Sequence, residues 1–369
     1  MTRADRLEHI ATEATIRKFD VRAIRAPLGK PHKTASGTIE VAPLVTLEIE
    51  TSAGVRGSAY VFVYTPLALE PVASLLKEIE ASTRGLALAP AMITDTLAAR
   101  FRLLGMQGLV GIAIAAIDMA AWDALAKIHS MPLARLLGGT IAPIRAYDSL
   151  GQLGAKETAD EVEGSLRKGF SAVKVKAANV DASTDVDVIS AIRNVAGRGA
   201  WVAADFNQAF SVSESISRIR LLEDIGLDWI EEPVRAEDYV GHATVRSKVK
   251  VPVQTGENWW GIPDMTKAIA AGASDLVMLD AMKIGGVTGW LRAASLAAAH
   301  GLPVSSHLFA EISAHLLSVT PTADMLEWLD LSSAINSTPL TIRNGMAMAF
   351  DGPGCGINFD HKALEKYAA

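Results

Sequence analysis

Apolar and polar residues alternate with the period of a β-strand over residues 15–65, most clearly in VTLEIE at 45–50. Such alternation is typical of strands that bury one face, and it predicts an antiparallel meander. Over residues 66–137 the apolar period becomes that of helices. Strands followed by helices predict an α+β domain, to which we assign residues 1–142.

From Pro143 onward, short apolar β segments alternate with helical stretches, an order that predicts a parallel sheet. The pattern predicts eight β segments, with ends at Ser149, Lys176, Asn207, Glu232, Glu257, Asp280, His307 and about Trp328. Eight parallel strands are the number in a closed α/β barrel, which we assign to residues 143–334. Residues 335–369 are glycine-rich and lose the repeat, and we predict that they pack back on the first domain.

Composition narrows the class of protein. Half of the 369 residues are apolar and the formal net charge is −6, which excludes a basic nucleic-acid binder. The single cysteine, Cys355, leaves no disulfide framework within the chain, so we expect a structural thiol and a cytoplasmic location. The longest apolar stretch, residues 108–117, is far shorter than the roughly 20 residues that span a bilayer, so no membrane partner is expected.

Charged side chains interrupt the predicted barrel strands near their carboxyl ends. They follow one another at intervals of 23 to 29 residues, the length of one βα unit: Lys176, Asp205, Glu231, Glu257, Asp280 and His307. The carboxyl ends of barrel strands meet at one face, so residues spaced by one unit surround a common pocket. The spacing therefore predicts a single site.

Three acids in this series, Asp205, Glu231 and Glu257, would repel one another if they met in a pocket. A divalent cation removes that repulsion, and three oxygen ligands with open positions for water and substrate suit Mg²⁺. A single acid at such a position is explained equally well as a helix N-cap or a surface charge. The metal hypothesis rests on three acids in register on successive strands.

Basic residues and a further acid complete the predicted site. Lys174 and Lys176 share a strand face about 7 Å apart, so we expect each charge to lower the pKa of the other lysine unless the pair is solvated at a strand edge. Asp280 and His307 end neighbouring units, where the carboxylate can orient the imidazole as a base and raise its pKa, although a lone histidine is also a common core residue. Glu327, at the eighth strand, is either a protonated hydrogen-bond donor or a partner for a lysine.

A metal between two bases suits removal of a proton α to a carboxylate, because the enediolate that forms needs positive charge already in place. Bases on both faces permit racemisation or epimerisation. If the β carbon carries a hydroxyl, the same intermediate would instead expel water, with His307 as the general acid.

The chain resembles the mandelate racemase subgroup of the enolase superfamily. The resemblance runs from about Ala26 to the C-terminus and includes TSAGV, AIDMAAWDAL, KVK, DFNQ, WIEEP, GENW, DAMKIGGVTGW, SSHLF and EISAHLL. It implies a capping α+β domain over a modified TIM barrel, (β/α)₇β, with the C-terminal segment returning to the cap. It also implies one Mg²⁺ per subunit, a small-molecule carboxylate substrate and a homo-oligomer, namely an octamer.

By resemblance, the three acids are the metal ligands, Lys176 acts on the (S) face of the substrate and His307 on the (R) face, with Asp280 as its partner. The resemblance assigns the remaining roles near the substrate to Lys174 beside its carboxylate, Ser149 as a hydrogen-bond donor to that carboxylate, Asn207 beside the metal, and Glu327 as the electrophile.

The loop PLGKPHKTASGTIEVAP departs from the family pattern. The resemblance places five residues around the substrate side chain: His32, Ser36, Ile39, Phe62 and Tyr64. A family member has valines, which hold a phenyl ring, at the positions of His32 and Ser36. Polar groups are costly to bury without hydrogen bonds, so a substrate with a polar tail fits better, unless His32 turns to solvent.

Three functions remain as hypotheses. The first is a Mg²⁺-dependent racemase of a 2-hydroxy acid, either mandelate or a more polar relative. The second is an acid-sugar dehydratase acting on aldonates or aldarates. The third, of another class, is a non-catalytic carboxylate-binding barrel, against which the two bases argue because binding alone needs neither.

Overall fold

A computed structural model describes residues 14–34 and 37–369. The first domain begins with a three-stranded antiparallel sheet in the order β1-β2-β3, so the predicted meander is confirmed. The strands are β1 (Ile16–Thr34), β2 (Gly37–Thr51) and β3 (Arg56–Phe62). Both faces of β2 are covered, because Thr46 and Glu48 are buried together with the apolar positions between them.

Helices follow the sheet, as the change of period predicts. After a 3₁₀ turn at Pro66–Ala68 they are α1 (Leu69–Thr83), α2 (Pro90–Arg100), α3 (Gly108–Ile128) and α4 (Leu133–Leu136). The apolar stretch at 108–117 is therefore part of a longer helix. By length and hydropathy α3 could cross a membrane, but 78% of its apolar window is buried inside the protein. We interpret it as the core helix of the first domain.

Strand β3 lies directly against α3. A Cβ atom added to Gly57 would lie 2.0 Å from the carbonyl oxygen of Ala120, so only glycine permits this approach. The buried carboxylate of Asp123 accepts hydrogen bonds from the backbone N–H groups of Ser58 (2.8 Å) and Cys355 (2.7 Å). This acid on α3 therefore joins the cap sheet to the C-terminal segment.

The second domain is a closed barrel, and the α/β fold class is confirmed. Its eight strands are β4 (Ile144–Leu150), β5 (Ala172–Lys176), β6 (Trp201–Asp205), β7 (Trp229–Glu231), β8 (Val253–Thr255), β9 (Leu276–Asp280), β10 (Val304–His307) and β11 (Met325–Trp328). Between them lie α5 (Ala155–Arg167), α6 (Ala182–Ala196), α7 (Val212–Leu222), α8 (Tyr239–Arg246), α9 (Gly261–Ala271), α10 (Gly286–Ala299) and α11 (Ala310–Leu317). This is the (β/α)₇β arrangement.

Hydrogen bonds connect β4 to β10 in sequence order, and β11 pairs with β4. Backbone bonds of Val304 to Thr322 and Asp324, both 2.8 Å, join β10 to the start of β11 and close the ring. One end of the barrel interior is filled by Tyr147, Ala172, Ala203, Trp229, Met278 and Met325. The charged residues that the spacing selects lie at the carboxyl ends of the strands or just beyond them.

Four predicted strand ends, Lys176, Asp280, His307 and Trp328, agree with the structure. The other four predicted ends, Ser149, Asn207, Glu232 and Glu257, are one or two residues off. At two of these the backbone has already left the strand, since φ is +43° at Asn207 and +41° at Glu232.

The C-terminal segment contains β12 (Ile342–Arg343), β13 (Met346–Ala347) and α12 (His361–Lys366). Its end reaches the cap sheet, where the backbone N–H of Arg25 donates to Tyr367 and that of Ala369 donates to Ala23. Cys355 is buried, and burial raises the pKa of its thiol, in keeping with a structural role. The exact division at 142/143 and 334/335 stays a prediction.

Candidate active site

Three carboxylates converge at the barrel mouth from neighbouring strands. Asp205 and Glu231 end β6 and β7, and Glu257 lies two residues beyond β8. One oxygen of each lies within 4.8 Å of the others, and all three side chains are buried. Neither Oε2 of Glu231 nor Oε2 of Glu257 has a hydrogen-bond partner among residues 14–34 and 37–369. Because buried carboxylate oxygens need partners, this set of donors fits a hard divalent cation such as Mg²⁺.

The two lysines of β5 contact these carboxylates. Lys174 is fully buried, with Nζ 2.6 Å from Glu231 Oε1 and 2.8 Å from Glu327 Oε1. Lys176 donates a hydrogen bond to Asp205. Burial raises the pKa of Asp205, but Lys176 and Lys174 lower it by more, to about 2.

The expected fall in the lysine pKa is wrong for this metal-free arrangement. Burial lowers the pKa of Lys176 and Lys174 lowers it further, but Asp205 raises it, and the net pKa lies above its ordinary value. The pKa of Lys174 is likewise raised, because Glu231 and Glu327 outweigh the effect of burial. Acids on other strands therefore affect the two lysine pKa values more than the like charge of the neighbouring lysine does.

The predicted dyad is present at the ends of β9 and β10. Nδ1 of His307 lies 2.7 Å from Asp280 Oδ2, while Oδ1 of Asp280 accepts from the backbone N–H groups of Met282 and Lys283. Nε2 of His307 lies 3.4 Å from Glu257 Oε2. Burial lowers the histidine pKa, but Glu257 and Asp280 raise it by more, as expected for an oriented base.

The expectation that its neighbours keep Glu327 on β11 protonated is contradicted, because these neighbours lower the pKa of its carboxyl. Burial raises its pKa, but Lys174 and His307 lower it well below the ordinary value. Its Oε2 also accepts from the backbone N–H of Leu308 at 3.0 Å. The alternative prediction, that Glu327 is a partner for a lysine, agrees with its ion pair with Lys174.

A cavity of about 370 Å³ brings most of the predicted residues together. Its lining includes Lys176, His307, Glu257, Glu327, Ser149, Asn207, His32, Ile39, Phe62 and Tyr64. Lys174, Asp205, Glu231 and Asp280 lie behind this lining and contact it. Within the part of the chain that the structure describes, Oγ of Ser149 and Oδ1 of Asn207 are buried without partners, so two polar groups remain for a ligand.

The first domain supplies the wall that faces the barrel mouth. Phe62 and Tyr64 pack with ring centroids 4.7 Å apart, and Ile39 pairs with His32 across β1 and β2. His32 is only 7% exposed and lines the cavity, so it does not turn to solvent. Burial and the charge of Lys176 lower its pKa to about 4, which leaves it neutral at pH 7. Ser36 lies outside the described residues.

A second cavity, of about 610 Å³, lies beyond His32, Ser149 and Leu329, which line both spaces. The rest of its lining combines apolar side chains such as Phe170, Trp328 and Leu340 with four charged ones, Lys30, Asp148, Lys168 and Asp330. Neither base and none of the three acids lines it, so the smaller cavity is the candidate active site.

The structure also places residues in the site that the sequence reasoning missed. Glu232, Asn258 and Gln208 line the cavity, and Lys283 lies behind it against Tyr64. The signals were within the quoted motifs: the second acid of WIEEP, the asparagine of GENW and the lysine of DAMKIGG. Spacing by one βα unit selected the first polar residue of each strand end and passed over its neighbours.

Comparison with known proteins adds independent information. The mandelate racemase / muconate lactonizing enzyme N-terminal domain matches residues 17–138, and the enolase C-terminal domain-like family matches residues 157–363. A crystal structure of an enolase from Bradyrhizobium, complexed with magnesium and mandelic acid, superposes with a TM-score of 0.95. It is 43% identical and covers 98% of this chain and 100% of that chain.

Two proteins that are similar to this chain in sequence catalyse reactions of different types, a dehydration and a cycloisomerisation. An L-talarate/galactarate dehydratase of Salmonella typhimurium is 30% identical over 263 residues, 70% of this chain and 66% of the dehydratase. A 3,6-anhydro-alpha-L-galactonate cycloisomerase of Streptomyces coelicolor is 28% identical over 88% of this chain and 91% of its own length. The family matches, the magnesium in similar structures and the acidic triad agree with one another. The chain belongs to the enolase superfamily and is a Mg²⁺-dependent enzyme.

Proposed function

We propose that the protein racemises a 2-hydroxy carboxylic acid, mandelate or a more polar relative, by exchanging the α proton between two bases. The observation that carries the proposal is that Lys176 and His307 line one cavity from β5 and β10. The barrel separates these strands by β4 and β11 on one side and by four strands on the other. The two nitrogens therefore approach a bound molecule from different sides, so that the proton can leave one face and return on the other.

In this proposal Asp205, Glu231 and Glu257 hold Mg²⁺, which when bound supplies positive charge beside the substrate carboxylate. Lys176 removes the α proton of the (S) enantiomer, for which its amine must be neutral. A cation held by Asp205 would offset the charge with which this carboxylate raises the pKa of Lys176, whereas burial and Lys174 lower that pKa.

His307 acts on the (R) enantiomer. Asp280 accepts from Nδ1–H, which leaves Nε2 toward the cavity as the nitrogen that takes the proton. In this proposal Lys174 and Ser149 bind the substrate carboxylate, with Ser149 in the cavity lining and Lys174 behind it. Glu327 would donate a hydrogen bond to that carboxylate once the bound anion raises its pKa, which Lys174 and His307 lower.

A second candidate function is an acid-sugar dehydratase. Two observations favour it: the buried, neutral His32 can hydrogen-bond a hydroxylated substrate tail, and a 30% identical relative is an L-talarate/galactarate dehydratase. In this reaction Lys176 removes the α proton and the protonated His307 supplies a proton to the departing β-hydroxyl. The raised pKa of His307 supports its protonated form. A cytoplasmic homo-oligomer, octameric by resemblance, remains a further prediction.

Exchange in D₂O tests proton abstraction directly. We expect ¹H NMR to show loss of the α-proton signal from either mandelate enantiomer with Mg²⁺ present. If neither exchanges, mandelate is not the substrate, and a screen of aldonic and aldaric acids for 2-keto product tests the dehydratase. In the His307→Asn variant we expect exchange of the (S) substrate only, with racemisation lowered at least about 10²-fold.

The matched variant is Lys176→Ala, which should retain exchange of the (R) substrate only. Equal loss for both enantiomers in both variants would contradict the two-base assignment. The third hypothesis, a binding protein, would be supported if calorimetry shows metal and ligand binding while Lys176→Ala leaves every measured turnover unchanged.

A further inference from the structure

The buried side chain of Lys283 links the first domain to the acids of the barrel mouth. Lys283 is 6% exposed and follows β9. Its Nζ lies 4.5 Å from the ring centroid of Tyr64, whose ring lines the cavity from the first domain. The same Nζ donates a hydrogen bond to Oδ1 of Asn258. A lysine buried between an aromatic face and an amide oxygen has partners on both sides.

The other end of the Asn258 amide donates hydrogen bonds to two carboxylates. Its Nδ2 lies 2.8 Å from both oxygens of Glu232 and 3.2 Å from Oε1 of Glu257. An ammonium group can only donate hydrogen bonds, so Lys283 requires the carbonyl end of the amide to face it. The NH₂ end must then face the carboxylates. Without the ammonium, the amide could turn its oxygen toward Glu257, which would repel the carboxylate.

We propose that Lys283 is a positioning residue that orients the metal ligand Glu257 through the amide of Asn258. The inference rests on the proposed metal site. Asn258 holds Oε1 of Glu257 and so leaves Oε2 to face the cation. Among the described residues Oε2 accepts no hydrogen bond, and it lies 3.4 Å from Nε2 of His307. Outer partners of this kind fix the rotamer of a ligand and raise metal affinity. Because Lys283 also contacts Tyr64, one side chain supports both the metal ligand and the substrate wall.

The first test is calorimetric titration of Mg²⁺ into Lys283→Met, which keeps the length of the side chain and removes its charge. We expect the Kd for Mg²⁺ to rise about 10- to 100-fold with an unchanged circular dichroism spectrum. Lys283→Arg keeps a cationic donor and should restore the Kd to within a few-fold. The matched control is Lys267→Met on α9, an exposed lysine paired with Asp264, which should leave the Kd unchanged. An unchanged Kd in Lys283→Met would overturn the proposal.

A double-mutant cycle tests the route through Asn258. Asn258→Ala alone should weaken Mg²⁺ binding by a similar factor, and adding Lys283→Met should then change the Kd less than threefold. If the two effects multiply, Lys283 does not act through Asn258 and the proposal fails. If Lys283→Met does not fold, Asn258→Ala decides alone, because an unchanged Kd would show that the amide does not position Glu257.

The contact with Tyr64 has a separate readout. Tyr64→Leu removes the aromatic face but leaves the amide contact of Lys283, so the Kd for Mg²⁺ should stay within threefold while KM rises several-fold. A large rise in the Mg²⁺ Kd of this variant would contradict positioning through Asn258. Metal titration needs no substrate, so failure of the racemase proposal would leave this result interpretable.

Discussion

Lys174→Met should destabilise the metal-free protein strongly. The ammonium is fully buried and lies 2.6 Å from Glu231, 2.8 Å from Glu327 and 3.6 Å from Asp205. Its removal leaves buried carboxylates without their main counter-charge, and breaking a buried ion pair in this way costs about 3–5 kcal/mol. At roughly 2 °C per kcal/mol for a large chain, we expect the Tm to fall by about 6–10 °C.

Thermal unfolding followed by circular dichroism, with EDTA and then with Mg²⁺, measures this effect. We expect Mg²⁺ to recover part of the loss, because a cation at the three acids replaces the missing charge and stabilises the folded state that binds it. The matched control is Lys156→Met. Lys156 also contacts an acid, Asp160, at 2.7 Å, but its side chain is 83% exposed, so we expect no clear change in Tm. Equal shifts in the two variants would refute the argument from burial.

Two further predictions concern a buried acid and the substrate wall. Burial raises the pKa of Asp118 to about 6, so the folded state binds more protons than the unfolded state between pH 4 and 6, and stability falls as the pH rises. Relative to wild type, Asp118→Asn should therefore gain about 3 kcal/mol between pH 4 and 7, measured by denaturant unfolding; a pH-independent difference would contradict the shifted pKa. His32→Val should raise kcat/KM for mandelate about 10-fold relative to a hydroxylated acid, and an unchanged ratio would remove His32 from specificity.

Much of the architecture was predictable because it depends on local periodicity. The alternation before Thr65, the helical period after it and the eight β segments separated by helical stretches predict the order of elements that the structure contains. The spacing of the charged residues also predicts the convergence of the acids, since one βα unit returns the chain to the same face of the barrel.

The cavity-lining residues of the first domain could be predicted only from the family resemblance. His32 lies in a strand whose pattern does not show whether the ring faces the barrel mouth or solvent. It lines one cavity with residues more than a hundred positions away, among them Lys176 and Glu327, whose charges act on its pKa. A periodic pattern carries no information on contacts of that range.

The sequence by itself determined the succession of strands and helices and the residue types at the strand ends, because both follow from periods of two, 3.6 and one βα unit. Only the tertiary structure decided the direction of the pKa shifts. Carboxylates from other strands raise the pKa of Lys176, and ammonium groups from another strand lower that of Glu327. The same holds for the contact of Lys283 with Asn258 and Tyr64. Electrostatic interactions depend on the distance between charges and on their burial. The spacing of residues along the chain gives neither quantity.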